Sequence, residues 1–268
     1  MKKNTSIIVL ILIVLCLTGY IVYDKVISKD NDIEPENNLQ TNIKKYTQEE
    51  VENILKEQAY ILYGNTSLDT IDNKEKLYLA FDLLRINYTK EDIYSGFTVE
   101  DIKKYYDNSI YSNLDIKYDD IYLYPYYNEI YFHLDNETYT FEPSAAHGGL
   151  AVYPIYSKVL NYHTEDNKYT ISYQYVFSAS SEGPSDRHLY YTYQDALKYY
   201  DSSLSFYTLK EMDYIDENTN EYDTDRLNKD TEDYINNNYD EIKQKLKTYN
   251  YVLEGTDSGL KITNFYID

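Results

Sequence analysis

The chain has 268 residues and a formal net charge of −21, because 46 Asp and Glu outnumber 25 Lys and Arg. So negative a chain repels phosphate backbones, and nucleic acid is therefore excluded as an expected partner. The single cysteine, Cys16, excludes an intrachain disulfide and a metal site built from several thiolates. A hydrophobic content of 43%, with 37 Tyr and no Trp, still allows a sizeable core rich in tyrosine.

The first predicted element is a membrane anchor. Residues 7–23 form an apolar run without a charge, and Lys2 and Lys3 stand before it. At a rise of about 1.5 Å per residue, a helix of this length covers roughly 26 Å, nearly the thickness of the hydrocarbon core. Lysines ahead of a span favour a cytoplasmic N-terminus. The sequence therefore predicts a single-pass protein of the cell membrane, with residues 1–6 in the cytoplasm and the C-terminal domain outside.

Two other interpretations of this apolar run compete with the membrane anchor. A cleaved signal peptide needs small residues after its apolar core, and Leu17-Thr18-Gly19 is the candidate, but residues 20–23 continue the core past it. A lipoprotein needs a small residue before the modified cysteine, whereas Leu15 precedes Cys16. The anchor therefore ranks first, the cleaved signal second and the lipoprotein third.

The next predicted elements are a stalk and a helical segment. Residues 24–45 lack apolar periodicity and are predicted to be a flexible stalk, so that residues 46–268 form the extracytoplasmic domain. Its first part, 46–113, is predicted to be helical, because apolar residues recur there at helical spacing. Three helix starts are marked by N-capping residues, two of them with capping-box spacing: Thr47 with Glu50, Asp72 with Glu75, and Thr98.

The second part of the domain, 114–268, changes to a period of two and is predicted to be mainly β-structure. Residues 130–134 alternate between apolar and polar before a turn at Asp135-Asn136, which is typical of a hairpin. Residues 168–178 place tyrosines on one face, and we expect this strand to pair with residues 155–164. Short turns between such strands indicate an antiparallel sheet with one buried face and one partly wet face.

The C-terminal region is predicted to contain a helix and a hairpin. The helix is expected to follow Thr231, with Ile235, Ile242 and Leu246 on one face. The hairpin that follows is expected to carry a bulge near Thr263-Asn264, where the apolar parity switches. The predicted fold class is therefore α+β: an N-terminal membrane anchor, a helical segment packed on a Tyr-rich antiparallel sheet, and a C-terminal helix plus β-hairpin.

This order of elements resembles uncharacterised single-pass membrane-anchored extracytoplasmic proteins of low-GC Gram-positive bacteria. The resemblance is carried by the lysine-led anchor and by two segments, NKEKLYLAFDLLRINYTKEDI at residues 73–93 and YNYVLEGTDSGLKITNFYID at residues 249–268. It implies a place in the bacterial envelope. It brings no known active site whose residues could be transferred to this chain.

The search for catalytic chemistry is largely negative. The sequence contains no nucleophile elbow, dinucleotide-binding, P-loop, zinc-protease or C-x-x-C motif. The histidines also lack the spacing of metal ligands, so the sequence predicts no metal and no cofactor. They are His133, His147, His163 and His188.

The acidic stretch 213–233 raises the alternative of a calcium site. Asp216, Asn218 and Asn220 match the first oxygen positions of an EF-hand loop, but the turn glycine and the bidentate glutamate are missing. A solvated acidic loop is therefore favoured over an irregular, weak cation site.

Two loops carry the candidate ligand-binding residues. In loop 143–149, His147 precedes Gly148 and Gly149, and paired glycines permit positive φ and close approach of a ligand. In loop 180–188, a Gly-Pro turn brings three polar residues together: Asp186, Arg187 and His188. The competing interpretation is that both loops are ordinary turns between strands.

Two functions remain open at this point. The first is a non-enzymatic binding or interaction module, whose ligand is an envelope protein or a cell-wall polymer. The alternative is a cell-wall or peptide hydrolase whose site is assembled only in tertiary structure. A concave pocket with convergent polar groups favours the enzyme, whereas a flat tyrosine patch favours binding.

Overall fold

The computed structural model describes residues 43–87, 93–122, 131–142, 151–180, 186–199, 201–215 and 222–268. Residues from Ile43 to Asp268 belong to one compact unit. The predicted cytoplasmic tail, the predicted anchor and the stalk up to residue 42 lie outside the described residues. Among the helices in the ranges above, none combines the length and the apolar character that a membrane span requires.

The described residues form α-helices and antiparallel β-sheets, so the predicted α+β class is confirmed. The helices are α1 (Gln48–Gln58), α2 (Asn73–Asn87), α3 (Val99–Tyr106), α4 (Tyr193–Ala196) and α5 (Thr224–Ile242). The strands are β1 (Phe97–Thr98), β2 (Ile121–Tyr122), β3 (Tyr131–Asp135), β4 (Thr138–Glu142), β5 (Ala151–Glu165), β6 (Lys168–Ser180), β7 (Arg187–Tyr190), β8 (Tyr207–Leu209), β9 (Thr248–Thr256) and β10 (Gly259–Ile267).

The first three helices begin at the capping residues that the sequence predicts. The Thr47 hydroxyl accepts a hydrogen bond from the Glu50 N–H, and the Glu50 carboxylate accepts one from the Thr47 N–H at 2.9 Å. Each capping box satisfies N–H groups that the first helical turn leaves without a partner. The same reciprocal arrangement occurs at the other two starts: Asp72 with Glu75, and Thr98 with Asp101.

β6 is the central strand of the larger sheet. It pairs with β5 along one edge, and with β9 and then β7 along the other edge. The strand order is β10-β9-β6-β7-β8, with β5 joined to β6. The predicted pairing of residues 155–164 with 168–178 is therefore confirmed. The smaller sheet has the order β1-β4-β3-β2 and contains the predicted hairpin of β3 and β4.

The turns of these hairpins lie where the sequence predicts them. Asn136 and Glu137 join β3 to β4 with φ values of 47° and 66°, and Asp166 turns β5 into β6 with φ of 53°. Positive φ in a tight turn matches the twist of the two strands that it connects. The predicted bulge near Thr263-Asn264 is also confirmed, because the β9–β10 register shifts immediately after Ile262.

One face of β6 packs against a group of aromatic rings, which we call the tyrosine cluster. Neighbouring rings have centroids 5.0 to 6.1 Å apart, mostly in edge-to-face geometry. Every member is at most 6% exposed, so the cluster is the centre of the main core. The tyrosine cluster consists of Tyr63, Tyr173, Tyr175, Tyr249 and Tyr251.

The opposite face of β6 is buried from Ser172 to Ser178 and partly exposed at Thr170, so the predicted partly wet face is limited to the start of the strand. α5 and the residues after it cover this face: Gln174 Nε2 donates to the carbonyl of Lys243 at 3.0 Å, and the Tyr239 hydroxyl donates to Gln174 Oε1 at 2.6 Å. Gln174 is therefore buried without losing its hydrogen bonds. The buried Ser178 hydroxyl, by contrast, has no hydrogen-bond partner among the described residues. The buried residues of this face are at most 8% exposed: Ser172, Gln174, Val176 and Ser178.

α5 begins earlier than predicted. The Asp223 side chain caps it by accepting from the Arg226 N–H at 2.9 Å. Thr231, the predicted start, is buried within the helix, and its hydroxyl donates to the Leu227 carbonyl at 2.6 Å. The prediction failed because the acidic residues around Leu227 suggested a solvated loop, whereas Leu227 is 1% exposed and packs into a second core on this side of the sheet.

The segment that leads into α1 is bound to the larger sheet. Ile43 lies against Gly255 on β9, where an added Cβ would be 3.3 Å from the Ile43 side chain. The Tyr46 N–H donates to the hydroxyl of Tyr169 on β6 at 2.9 Å, and the two rings meet edge to face at 5.9 Å. The chain is thus fixed to β9 and β6 before the first helix starts.

The observed start of α5 predicts the effect of removing its cap. Asp223→Ala should lower the free energy of unfolding by about 1 kcal/mol, because the Arg226 N–H loses its acceptor. Denaturant unfolding of the variant and the parent chain measures this difference. Asn237→Ala, at an exposed position of the same helix, is the control and should not destabilise the protein. Equal stability of the Asp223 variant and the parent would contradict the observed start.

Candidate functional site

A cleft of about 440 Å³ opens beside the tyrosine cluster. α1 contributes Glu52, Asn53 and Lys56 to its wall, and β5 contributes residues 154–157. The remaining described residues of the lining belong to the tyrosine cluster: Tyr63, Tyr173 and Tyr175. The cleft therefore combines a polar helix surface, a strand and a floor of tyrosine rings.

The position of the polar wall follows from the amphipathic character of α1. Val51 and Leu55 are buried in the main core. Glu52 and Lys56 each follow one of these residues by one position, about 100° further round the helix. They consequently lie at the border between the buried face and solvent, where a charged group can face a cleft and still be hydrated.

The strand wall contains an irregularity of β5. The β5–β6 register shifts between Pro154 and Tyr156, which takes Ile155 out of the regular ladder. Such a bulge bends a strand and leaves the extra residue without its regular partner. Pro154 itself has no N–H to donate. The lining strand is thus bent beside the cleft.

The floor consists of buried, neutral phenols. Tyr173 and Tyr175 stack with centroids 5.4 Å apart, and the hydroxyls of Tyr175 and Tyr251 are 3.3 Å apart. Burial raises the pKa of Tyr63, Tyr173 and Tyr175 above the ordinary tyrosine value. For Tyr173 the nearby Glu52 carboxylate raises the pKa further. These hydroxyls therefore stay protonated at neutral pH and can donate as well as accept hydrogen bonds.

The rim carries one negative and one positive side chain that do not neutralise each other. Glu52 Oε1 accepts a hydrogen bond from Gln48 Nε2 at 2.7 Å. Lys56 is exposed and forms no hydrogen bond or ion pair with the part of the chain that the structure describes. Both charges are thus available to a ligand in the cleft.

The loop residues predicted from sequence lie elsewhere. Arg187 Nη1 donates to Asn228 Oδ1 at 2.8 Å and to Thr231 Oγ1 at 3.2 Å, so it joins β7 to α5. His188 Nδ1 is hydrogen-bonded to Thr208 Oγ1 of β8 at 2.8 Å. Neither residue lines the cleft, and neither does Asp186 just before β7. The other three candidates, His147, Gly148 and Gly149, lie outside the described residues.

The described residues also provide little for metal chemistry. Across them, no group of three or more His, Cys, Asp and Glu side chains is placed to hold a metal ion. Part of the acidic stretch 213–233 is helical, because α5 includes residues 224–233. Residues 216–221, with the oxygen positions that suggested a calcium loop, lie outside the described residues.

The cleft residues were not among those that the sequence singled out. The alternation of residues 168–178 does predict that Tyr173 and Tyr175 share a face, and the helical spacing of α1 places Glu52 four residues before Lys56. No sequence signal shows, however, that α1 and β5 meet beside these tyrosines. That contact joins segments about one hundred residues apart in the chain.

Comparisons of the chain with protein-family models, with curated proteins and with solved structures give no match. The resemblance to membrane-anchored proteins of Gram-positive bacteria consequently stays a prediction.

The buried tyrosines predict a loss of stability in alkali. Because burial raises the pKa of all five members of the tyrosine cluster, the unfolded chain releases phenolic protons above about pH 10 while the folded chain retains them. The free energy of unfolding should be unaffected by these groups below that pH and fall above it, by at most about 1.4 kcal/mol per buried tyrosine per pH unit. Denaturant unfolding at a series of pH values measures this fall.

A matched pair of variants tests which tyrosines are responsible. Tyr251→Phe removes a fully buried phenol and should make the alkaline loss of stability less steep. Tyr266→Phe removes a phenol that is 41% exposed and should leave the pH dependence unchanged. If both variants follow the parent chain, the buried phenols do not control stability in alkali.

Proposed function

We propose that this protein is a membrane-anchored extracytoplasmic binding module of the bacterial envelope, and that it binds its ligand in the cleft between α1 and β5. The observation that carries the proposal is the cleft itself. Its volume of about 440 Å³ lies in the range of ligand sites, roughly 300 to 1,000 Å³. It also combines an aromatic floor with a few polar groups at the rim, which is the usual composition of a binding site.

The lining favours binding over catalysis. Among the described residues that line the cleft, Glu52 is the single carboxylate, and there is no histidine or cysteine. Glycoside hydrolysis by a pair of carboxylates needs a second acid on the opposite side of the scissile bond. Nucleophilic hydrolysis by Ser157 would need an adjacent base, and phenols whose pKa is raised by burial are poor bases at neutral pH. The concave shape of the cleft is therefore used for recognition.

The location of the protein rests on the sequence of the N-terminal segment. The uncharged apolar run 7–23 behind Lys2 and Lys3 supports a single-pass anchor with a cytoplasmic N-terminus. A domain held outside the membrane meets envelope proteins and cell-wall polymer. Its strong negative charge keeps it in solution and repels nucleic acid and anionic lipid headgroups. A wall polymer or an envelope protein is thus the proposed ligand.

Binding to wall material tests the proposed function. The purified full chain in detergent is mixed with insoluble cell-wall polymer from a Gram-positive bacterium, and the pelleted fraction is measured. Ser157→Trp should weaken binding at least about fivefold, since a bulky ring forced into a packed site costs typically 1–3 kcal/mol. Asn161→Trp is the matched control, because it adds the same ring at an exposed position of β5 outside the cleft lining.

The control and the released products decide the outcome. The parent chain and the Asn161 variant should pellet equally, without release of soluble wall fragments. Release of fragments that depends on the cleft would instead support the alternative hydrolase. If nothing pellets, or if both tryptophan variants bind like the parent chain, the proposed binding of wall polymer in the cleft is refuted.

The anchor has a separate test. Mass spectrometry of the protein extracted from membranes should find the N-terminal peptide still attached, because the apolar run continues past Gly19 without a cleavage site. A mature chain that starts near Tyr20 or Asp24 would show that the segment is a cleaved signal instead.

A further inference from the structure

We infer that the cleft accepts a short peptide that carries a free ammonium and a free carboxylate about one dipeptide length apart. This inference rests on the proposed function, since it assigns a ligand class to the same cleft. Three features of the described lining support it: the two charges on α1, their positions one helical turn apart, and the exposed polar groups beside a floor of buried rings.

The two charges are complementary to a zwitterion. Glu52 and Lys56 both line the cleft. Residues four apart on a helix with the acid first are well placed for an ion pair, yet these two form none in the described structure, where Glu52 bonds to Gln48 instead. A ligand ammonium next to Glu52 and a ligand carboxylate next to Lys56 would therefore find two unneutralised partners.

The two charged positions on α1 can be bridged by a ligand of dipeptide length. Side chains at positions i and i+4 of a helix have Cβ atoms about 5–6 Å apart. The nitrogen and the carboxyl carbon of a single amino acid are separated by only about 2.5 Å, whereas an extended dipeptide spans about 7 Å. A dipeptide, or the end of a peptide with a charged side chain, can thus reach both groups at once.

The floor is suited to amides more than to sugar rings. Tyr173 and Tyr175 stack on each other with an angle of 14° between their planes, and both are at most 6% exposed. Their faces are therefore taken by other rings and do not offer the open aromatic platform on which a sugar stacks. The Asn53 amide and the Ser157 hydroxyl, which are exposed in the lining, can donate to and accept from a peptide group. A peptide consequently fits the lining better than a saccharide.

Three small probes test this inference with the purified full chain in detergent. L-Alanyl-L-alanine keeps both end charges, its N-acetyl derivative loses the ammonium, and its amide loses the carboxylate. Calorimetric titration at neutral pH should give the tightest binding for the unmodified dipeptide. Each blocked form should bind about two- to fivefold more weakly, which corresponds to the upper half of the measured range for exposed ion pairs.

Variants that remove one charge show which side chain binds which end of the dipeptide. Glu52→Gln should abolish the preference over the N-acetyl form, and Lys56→Met should abolish the preference over the amide. Glu57→Gln, at an exposed position of α1 outside the lining, should preserve both preferences. If the blocked dipeptides bind as well as the free one, or if Glu57→Gln has the same effect as Glu52→Gln, the inferred recognition of a zwitterion is wrong.

The Ser157→Trp variant separates this inference from the proposed function. Cleft-dependent binding of wall polymer without any binding of the dipeptide would refute the ligand class and leave the cleft as the binding site. Dipeptide binding that is insensitive to Ser157→Trp would place the peptide elsewhere and overturn the assignment to the cleft. Loss of dipeptide binding in this variant, with retention in Asn161→Trp, supports both.

Discussion

The enclosure of most of β6 is the constraint on which the rest of the structure depends. The strand is hydrogen-bonded along both edges and covered on both faces, by the tyrosine cluster on one side and by α5 on the other. The sequence contains one cysteine, in the predicted anchor, so no disulfide can support the domain. Stability must therefore come from burial, and tyrosine allows burial of a large ring while its hydroxyl keeps a hydrogen bond. The contact between Tyr175 on β6 and Tyr251 on β9 illustrates both effects.

The cleft lies at the margin of the main core, between α1 and β5. α1 packs its apolar stripe into the main core, and Glu52 and Lys56 border this stripe beside the cleft. On the other side, β5 departs from regular pairing at the Pro154 bulge, so that helix and strand do not close over the rings. The same side chains that form the core thus form the floor of the site. The floor residues are held rigidly by packing. Few of their side chains must therefore be ordered when a ligand binds, which lowers the entropic cost of binding.

Signals within short stretches of sequence predicted most helix starts, turns and strands. The features that were not predicted depend on contacts between residues far apart in the chain. The capping boxes of α1 and α2, the turn at Asn136 and the bulge after Ile262 depend on residues close in sequence, and all were predicted. The burial of Gln174 was not, because its partners Tyr239 and Lys243 lie about seventy residues away and make a polar strand position as dry as an apolar one. The start of α5 was missed for a related reason. α5 covers the sheet through only a few buried residues, such as Leu227. The rest of its first turns is polar and acidic, a composition that also fits a loop.

The attachment of the entry segment has a mechanical consequence. Ile43 rests against Gly255 on β9, and Tyr46 is hydrogen-bonded to Tyr169 on β6, so the chain is fastened to two adjacent central strands before α1 begins. Tension applied to the chain ahead of Ile43 is therefore transmitted first to the middle of the larger sheet, where the load is shared by the β6–β9 ladder. α1 and the cleft lie behind this point of attachment. A pull on the chain ahead of Ile43 is thus borne by the larger sheet before it reaches α1 and the cleft.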